Sequence, residues 1–185
     1  MDSYFIEFPE LSTPKIILRR LQVADVPQIF ELYSCEDVSN YNEMKPFEVV
    51  AEANILLRRF RDKYQDTTGI RWGIFSQANE FIGSIGVFSS APISARGEVN
   101  ISFEVSQKLR GQGYASEAFK AIMDFCQNTI GVYKIFAAVP EGKEVAAKIL
   151  KKFGFEVEFE EKRYNASLNS DLNYKIWSVQ TPGVS

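Results

Sequence analysis

The chain has 185 residues, of which 45% are hydrophobic, so it holds enough apolar material for the core of one domain. Its 21 basic and 24 acidic residues give a formal net charge of -3, which argues against binding nucleic acid or an anionic membrane by electrostatics alone. Histidine is absent, which excludes Ser-His and Cys-His nucleophile pairs and the usual histidine-based metal sites.

Hydropathy and cysteine spacing argue against a membrane or secreted protein and against paired-cysteine sites. No run approaches the roughly 18 to 20 apolar residues of a membrane-spanning helix, and the acidic start differs from the basic start of a signal peptide. Cys35 and Cys126 lie far apart and outside paired-ligand spacing, so they predict ordinary thiols. We therefore expect a cytoplasmic protein with a single domain over 1–185 and a core over about 12–180. No nucleic acid, membrane or metal partner is predicted.

The first half of the chain predicts one strand, two helices and a hairpin. KIILRRL at 15–21 is rich in branched apolar residues, which is typical of a strand. ADVPQIFELY at 24–33 and the stretch 49–64 both carry apolar residues at helical spacing. IRWGIF at 70–75 and EFIGSIGVF at 80–88 are separated by a polar turn and predict an antiparallel hairpin.

The second half begins with the alternating strand EVNISFEV at 98–105, which places Glu104 on the face opposite to Phe103 and Val105. Five further elements complete the chain: a helix from Tyr114, a strand at 134–140, a helix at 144–153 ended by Gly154, and strands at 155–164 and 173–179. The order β-α-α-β-β-β-α-β-α-β-β predicts an α/β sandwich around one mixed sheet.

The connection RGQGYA, residues 110–115, joins the strand ending at Val105 to the helix beginning near Tyr114. Backbone N–H groups at a helix start attract anions, and glycines let an anion approach the backbone closely. The loop therefore predicts a phosphate-binding site. It is neither a Walker A loop nor a complete dinucleotide fingerprint, so a plain glycine-containing turn stays open as an alternative.

Together with its surroundings, this loop resembles the acyl-CoA motif of the GNAT N-acetyltransferases, in the RimJ/RimL branch that acetylates N-terminal alanine or serine of ribosomal proteins. The resemblance covers nearly the whole chain, from TPKIILRRLQVADVPQIFEL through ISFEVSQKLRGQGYASEAFKAIMDF to ILKKFGFEVE. It implies the GNAT fold, a mixed, mostly antiparallel twisted sheet flanked by helices. An acyl-CoA cleft would lie between the splayed fourth and fifth strands, 98–105 and 134–140. It also implies acetyl-CoA as donor, an amine as acceptor, and a monomer or homodimer.

The resemblance implies a set of cofactor-binding residues. The pyrophosphate would bind to the backbone N–H groups of the loop residues Arg110, Gly111, Gln112, Gly113, Tyr114 and Ala115. The pantetheine arm would pair with the backbone of the preceding strand at Phe103, Glu104 and Val105. The side chains of Arg110 and Lys143 are further candidates for phosphate contacts, although a loop-ordering arginine and a solvent-exposed lysine remain alternatives. The reaction would be direct attack of a neutral amine on the thioester, with backbone N–H groups polarising its carbonyl oxygen.

The acid-base residues follow the family pattern less closely. Glu104 is the candidate base, with a structural or substrate-orienting carboxylate as the alternative. Leu150 stands where many members carry a tyrosine general acid, and Lys143 and Ala146 replace the Asn and Ser that the branch often has. Tyr133 is a candidate for protonating the leaving thiolate. A catalytically silent acyl-CoA-binding module, or a purely structural domain, remains an alternative to the enzyme.

Amine basicity favours one class of acceptor. Deprotonating a lysine amine at pH 7 costs about 4.6 kcal/mol, whereas an α-amine costs only about 1.1 kcal/mol. A site without histidine therefore favours a peptide or protein N-terminus, with a polyamine, aminoglycoside or other small amine as the alternative. The segments 35–47 and 163–174 are expected to select the acceptor. Within them Asp37, Glu43 and Asp171 are either attractors of a cationic amine or plain loop carboxylates.

Overall fold

The computed structural model describes residues 2–41, 44–95, 97–166 and 168–181, with the backbone alone at 39–41. The helices within these ranges are α1 Ser3–Ile6, α2 Val26–Tyr33, α3 Glu36–Tyr41, α4 Val50–Gln65, α5 Tyr114–Phe125 and α6 Glu144–Lys152. The strands are β1 Leu11–Ser12, β2 Ile16–Arg20, β3 Gly69–Ser76, β4 Phe81–Phe88, β5 Glu98–Val105, β6 Lys134–Pro140, β7 Glu156–Asn165 and β8 Ser170–Gln180.

The strands form one sheet in the order β1-β2-β3-β4-β5-β6-β8-β7. Every neighbouring pair is antiparallel except β5 and β6, which run parallel. This confirms the predicted mixed, mostly antiparallel sheet flanked by helices. The parallel pair requires a crossover connection, and α5 provides it.

Two apolar clusters fix the helices against the sheet. On α5, the residues at helical spacing are buried, with Ala118, Phe119 and Ile122 fully so, and they belong to the larger cluster. The smaller cluster joins α2 and α4 to the C-terminal end of β3 and includes Leu57 and Phe75. Val105 of β5 belongs to the larger cluster, whereas the neighbouring Glu104 bonds to Tyr33 of α2, so alternate side chains of β5 face the two helical layers, as the alternating pattern predicts.

The parallel pairing of β5 with β6 is short. It joins Glu98 to Lys134, Val99 to Ile135 and Asn100 to Phe136, and then stops, although both strands continue. Beyond this point the two strands diverge, as the family resemblance implied. The divergence opens a cleft inside the sheet next to the start of α5.

Some predicted boundaries differ from the structure. Asp37 and Asp171, for which a plain loop carboxylate was one alternative, do not lie in loops: Asp37 belongs to α3 and Asp171 to β8. Glu43 lies outside the described residues. Among the described helices, none has both the length and the apolar character needed to cross a membrane.

Candidate active site

The cleft between β5 and β6 has a volume of about 330 Å³. Its lining combines both strands with the following loop and with α6, and includes Phe103, Glu104, Val105, Arg110, Gly111, Gly113, Tyr114, Ala115, Ala138, Ala146 and Leu150. All the predicted cofactor-binding residues except Gln112 and Lys143 are therefore brought together at this cleft. Most of the lining is apolar, and its polar groups concentrate at the loop and at Glu104.

The start of α5 presents an unusual backbone to the cleft. Gly113 is the N-cap with φ of +84°, and Gly111 has φ of +78°. Both values lie in the left-handed region that favours glycine. The first helical bond runs from the Glu117 N–H to the Gly113 carbonyl, so the N–H groups of the first turn have no acceptor within the helix. A Cβ at Gly111 would meet no atom within 4 Å, which shows open space above this backbone.

This loop fits the pyrophosphate of an acyl-CoA. The free N–H groups and the positive end of the helix attract an anion, and the glycines leave the backbone uncovered. The apolar walls contributed by Ala146 and Leu150 fit a thioester-bearing arm better than a second charged group. Leu150 is fully buried, so the wall is apolar where many family members have a tyrosine.

Asp37 on α3 connects the two basic side chains predicted to contact phosphates. Arg110 Nη1 forms a short ion pair with Asp37 Oδ2, and Lys143 Nζ lies 3.0 Å from Asp37 Oδ1. Arg110 Nε also donates to the Val105 carbonyl at 3.1 Å. Burial by itself raises the pKa of Asp37, but the hydrogen bonds from Arg110 and Lys143 outweigh it and hold that pKa below its usual value. Asp37 thus connects α3 to the loop 110–115, the cofactor loop.

Glu104 belongs to a buried polar network. Its Oε2 accepts hydrogen bonds from the Tyr33 hydroxyl at 3.0 Å and the Ser84 hydroxyl at 3.1 Å, and it forms an ion pair with Arg71. Arg71 also donates to the Ser102 hydroxyl at 2.7 Å. Burial lowers the pKa of the Arg71 guanidinium, but arginine stays protonated in proteins. The network therefore surrounds the Glu104 carboxylate with one guanidinium and two hydroxyl donors.

The backbone opposite Arg71 makes room for this network. Gly86 faces Arg71 across β3 and β4, and a Cβ there would lie 2.7 Å from Arg71 Cδ. Tyr33, Arg71 and Ser84 were not predicted as site residues from the sequence. One signal was present, because Arg71 is the one charged residue in an otherwise apolar strand.

Tyr133 and Cys126 lie away from the cleft. Tyr133 directly precedes the residue that pairs with Glu98, at the paired end of β5 and β6, and its hydroxyl accepts a bond from Gln180 at 3.0 Å. This position does not support the role predicted for it as a general acid, because the cleft opens at the other end. Cys126 is fully buried in the core as predicted, and burial raises the pKa of its thiol to about 12.

Residues 15–156 match the family described as the acetyltransferase (GNAT) domain. The chain is 29% identical to an uncharacterized N-acetyltransferase, YoaA of Bacillus subtilis, over 95% of this chain and 98% of the relative. Two solved structures share the fold with a TM-score of 0.78 each. One is the spermidine N-acetyltransferase of Vibrio cholerae in complex with CoA and spermine, 16% identical over 91% of this chain and 97% of that one. The other is Mycobacterium smegmatis RimJ in complex with CoA-disulfide, 17% identical over 89% and 81%.

The family match covers more than half of the chain and includes the strand, loop and helix that build the cleft. The fold and the cleft described above agree with it. The chain therefore belongs to the GNAT acetyltransferase family and is an N-acetyltransferase.

Proposed function

We propose that the protein transfers an acetyl group from acetyl-CoA to the α-amine of a peptide or protein N-terminus, as in the RimJ/RimL branch. The observation that supports acetyl-CoA as the acetyl donor is the open glycine loop 110–115 at the wide end of the cleft between β5 and β6. The solved structures of Vibrio cholerae spermidine N-acetyltransferase with CoA and spermine and of Mycobacterium smegmatis RimJ with CoA-disulfide support an acyl-CoA donor.

The amine nitrogen forms a bond to the carbonyl carbon of the thioester, and the bond from that carbon to sulfur breaks. The amine loses one proton, and the leaving sulfur gains one to become the free thiol of CoA. The N–H groups at the start of α5 bind the pyrophosphate. The β5 backbone at 103–105 orients the arm, and the apolar walls exclude water from the thioester.

Glu104 is the proposed carboxylate next to the reacting groups, and its role is to orient. Arg71 and the hydroxyl groups of Tyr33 and Ser84 hold this carboxylate in place. An orienting carboxylate suffices for an α-amine, whose deprotonation at pH 7 costs only about 1.1 kcal/mol. A water molecule can then carry the proton to solvent.

A small polyamine is the second candidate acceptor, because one structural neighbour is a spermidine N-acetyltransferase crystallised with spermine.

The test is a calorimetric titration of acetyl-CoA into the wild type and the Gly113→Glu variant. The added carboxylate puts negative charge where the pyrophosphate would bind, so we expect micromolar binding to be lost. Gly142→Glu is the matched control, because Gly142 has the same φ of +84° and open space around it, but lies outside the cleft lining.

Thiol release with an N-terminal peptide or with spermidine then separates the acceptors. No binding of acetyl-CoA by a folded wild-type protein would refute the proposal. Thiol release with spermidine but not with the peptide would refute the proposed acceptor and favour the polyamine.

A further inference from the structure

A second cavity lies between α4 and the sheet, on the opposite face of β5 from α5. Its volume is about 330 Å³, and its lining consists of Tyr33, Met44, Leu56, Phe60, Lys63, Gly69, Ile70, Arg71, Gly86, Val87, Phe88 and Ser102. Ser102 also lines the cofactor cleft. Both cavities are therefore lined by Ser102, which lies two residues before Glu104 on β5.

The charge of this second cavity is positive. Arg71 and Lys63 are its two charged lining residues among those that the structure describes, and Arg71 is balanced by Glu104. Lys63 is exposed, and its Nζ lies 5.8 Å from the centre of the Phe88 ring. No described carboxylate forms an ion pair with it. Among the residues that the structure describes, the cavity lining therefore offers a polycation no unpaired carboxylate, whereas it offers an anion the ammonium group of Lys63.

The walls between Ser102 and Lys63 are apolar and aromatic. Phe60 and Phe88 contribute the rings, and the Arg71 Cζ atom lies 5.3 Å from the centre of the Phe60 ring. Such walls fit an apolar side chain of the acceptor.

The strand register gives the length of this cavity. Ser102 pairs with Gly86, and Phe88 lies two residues further along β4. Two residues of a strand span about 7 Å, and an extended peptide covers the same distance from its first residue to its third. An acceptor whose amine lies at Ser102 therefore brings its third residue to the neighbourhood of Lys63.

From these observations we infer that the acceptor is a peptide N-terminus with an acidic third residue, bound in extended form along Phe60 and Phe88 with its carboxylate at Lys63. This inference rests on the proposed function and names the substrate class within it. The cationic rim excludes spermidine and similar polycations as preferred acceptors.

The test measures thiol release from acetyl-CoA with three peptide amides that differ in the third residue alone: AFDGGG, AFNGGG and AFKGGG. Spermidine is the fourth acceptor. We expect kcat/KM to fall about threefold to fivefold from the Asp to the Asn peptide, the size of an exposed ion pair, and further for the Lys peptide. The preference should weaken as salt is added, because the pair is exposed.

Substitutions at Lys63 identify the origin of the preference. Lys63→Met should make the three peptides nearly equal, and Lys63→Glu should reverse their order. Lys120→Glu is the matched control, since Lys120 is an exposed lysine on α5 paired with Asp124 and makes the same change of net charge. This control should keep the wild-type order.

Glu43 lies outside the described residues but is next to Met44 of the cavity, so Glu43→Gln is measured on the same acceptors. The Asp preference should persist in it. Better turnover of spermidine or of the Lys peptide by the wild type, or an unchanged order in Lys63→Glu, would overturn the inference and leave the acetyltransferase intact. No thiol release from any of the four acceptors would overturn the proposed function and the inference with it.

Discussion

The two polar regions of the cleft are built in different ways. The cofactor loop consists of consecutive residues 110–115, and its shape follows from two glycines and a helix start. The Glu104 network draws Tyr33 from α2, Arg71 from β3 and Ser84 from β4. A change in the loop should therefore affect binding with little effect on the fold, whereas a change in the network should affect the fold first.

The largest expected effect follows from Arg71→Met, which leaves Glu104 buried without a counter-charge. Breaking one side of a buried ion pair costs about 3–5 kcal/mol, so we expect the free energy of unfolding to fall by that amount in a urea titration. The double variant Arg71→Met, Glu104→Gln should recover most of the loss. A loss below about 1 kcal/mol would match an exposed pair and contradict the network.

Tyr33→Phe should have a smaller effect on the same network. It removes one hydroxyl donor to a charged carboxylate, a bond worth about 1.5–3 kcal/mol, and the free energy of unfolding should fall accordingly. Acetyl-CoA affinity should stay the same, because Tyr33 does not line the cofactor cleft. Tyr164→Phe is the control, since its exposed hydroxyl bonds only to neutral Asn169, and no change in stability is expected.

Gly113→Ala tests the other region. Its left-handed backbone should cost about 1 kcal/mol of stability, and the added methyl group should weaken acetyl-CoA binding about tenfold by covering the loop N–H groups. Gly142→Ala shares the φ of +84° and should lose the same stability with no change in affinity. Equal affinity losses in the two variants would show that backbone strain, and not the anion site, is responsible.

The smallest effect is expected for Asp37→Asn, measured as thermal stability against pH. The pKa of Asp37 is lower in the folded than in the unfolded chain, so its contribution is present above the unfolded pKa near 3.9 and is lost as pH falls further. The difference in Tm between wild type and variant should thus be constant above about pH 5 and should shrink below about pH 4. The corresponding difference in the free energy of unfolding should stay below about 1 kcal/mol, because the Asp37 side chain is one-third exposed. A difference that grows below pH 4 would contradict the bridge to Arg110 and Lys143.

Local patterns predicted most of the fold and the cofactor loop. Alternation in β5 and helical spacing in α5 are set by short-range sequence, and so is the glycine pair of the loop. The short polar helix α3 was missed because its sequence lacks apolar spacing, and α1 and β1 were missed because each has four residues or fewer.

The partners of Glu104 were beyond sequence reasoning for a different reason. Tyr33 is 71 positions away from Glu104 along the chain, and only the packing of α2 on the sheet brings the two side chains together. Tyr133 was predicted on residue type alone. The parallel pairing of β5 with β6 places it at the closed end of the cleft, because parallel strands begin on the same side of the sheet.

The divided sheet has one more consequence, for how the protein should be stored. Beyond Asn100 and Phe136, β5 and β6 each carry a strand edge that no neighbouring strand of the sheet covers. Unpaired strand edges are templates for association with other chains. Residues of α6 such as Ile149 line the gap between the two strands, but they do not fill it, and the gap forms the cleft described above. We therefore expect purified protein to aggregate more slowly with acetyl-CoA present, because a bound ligand occupies the place that a foreign strand would take.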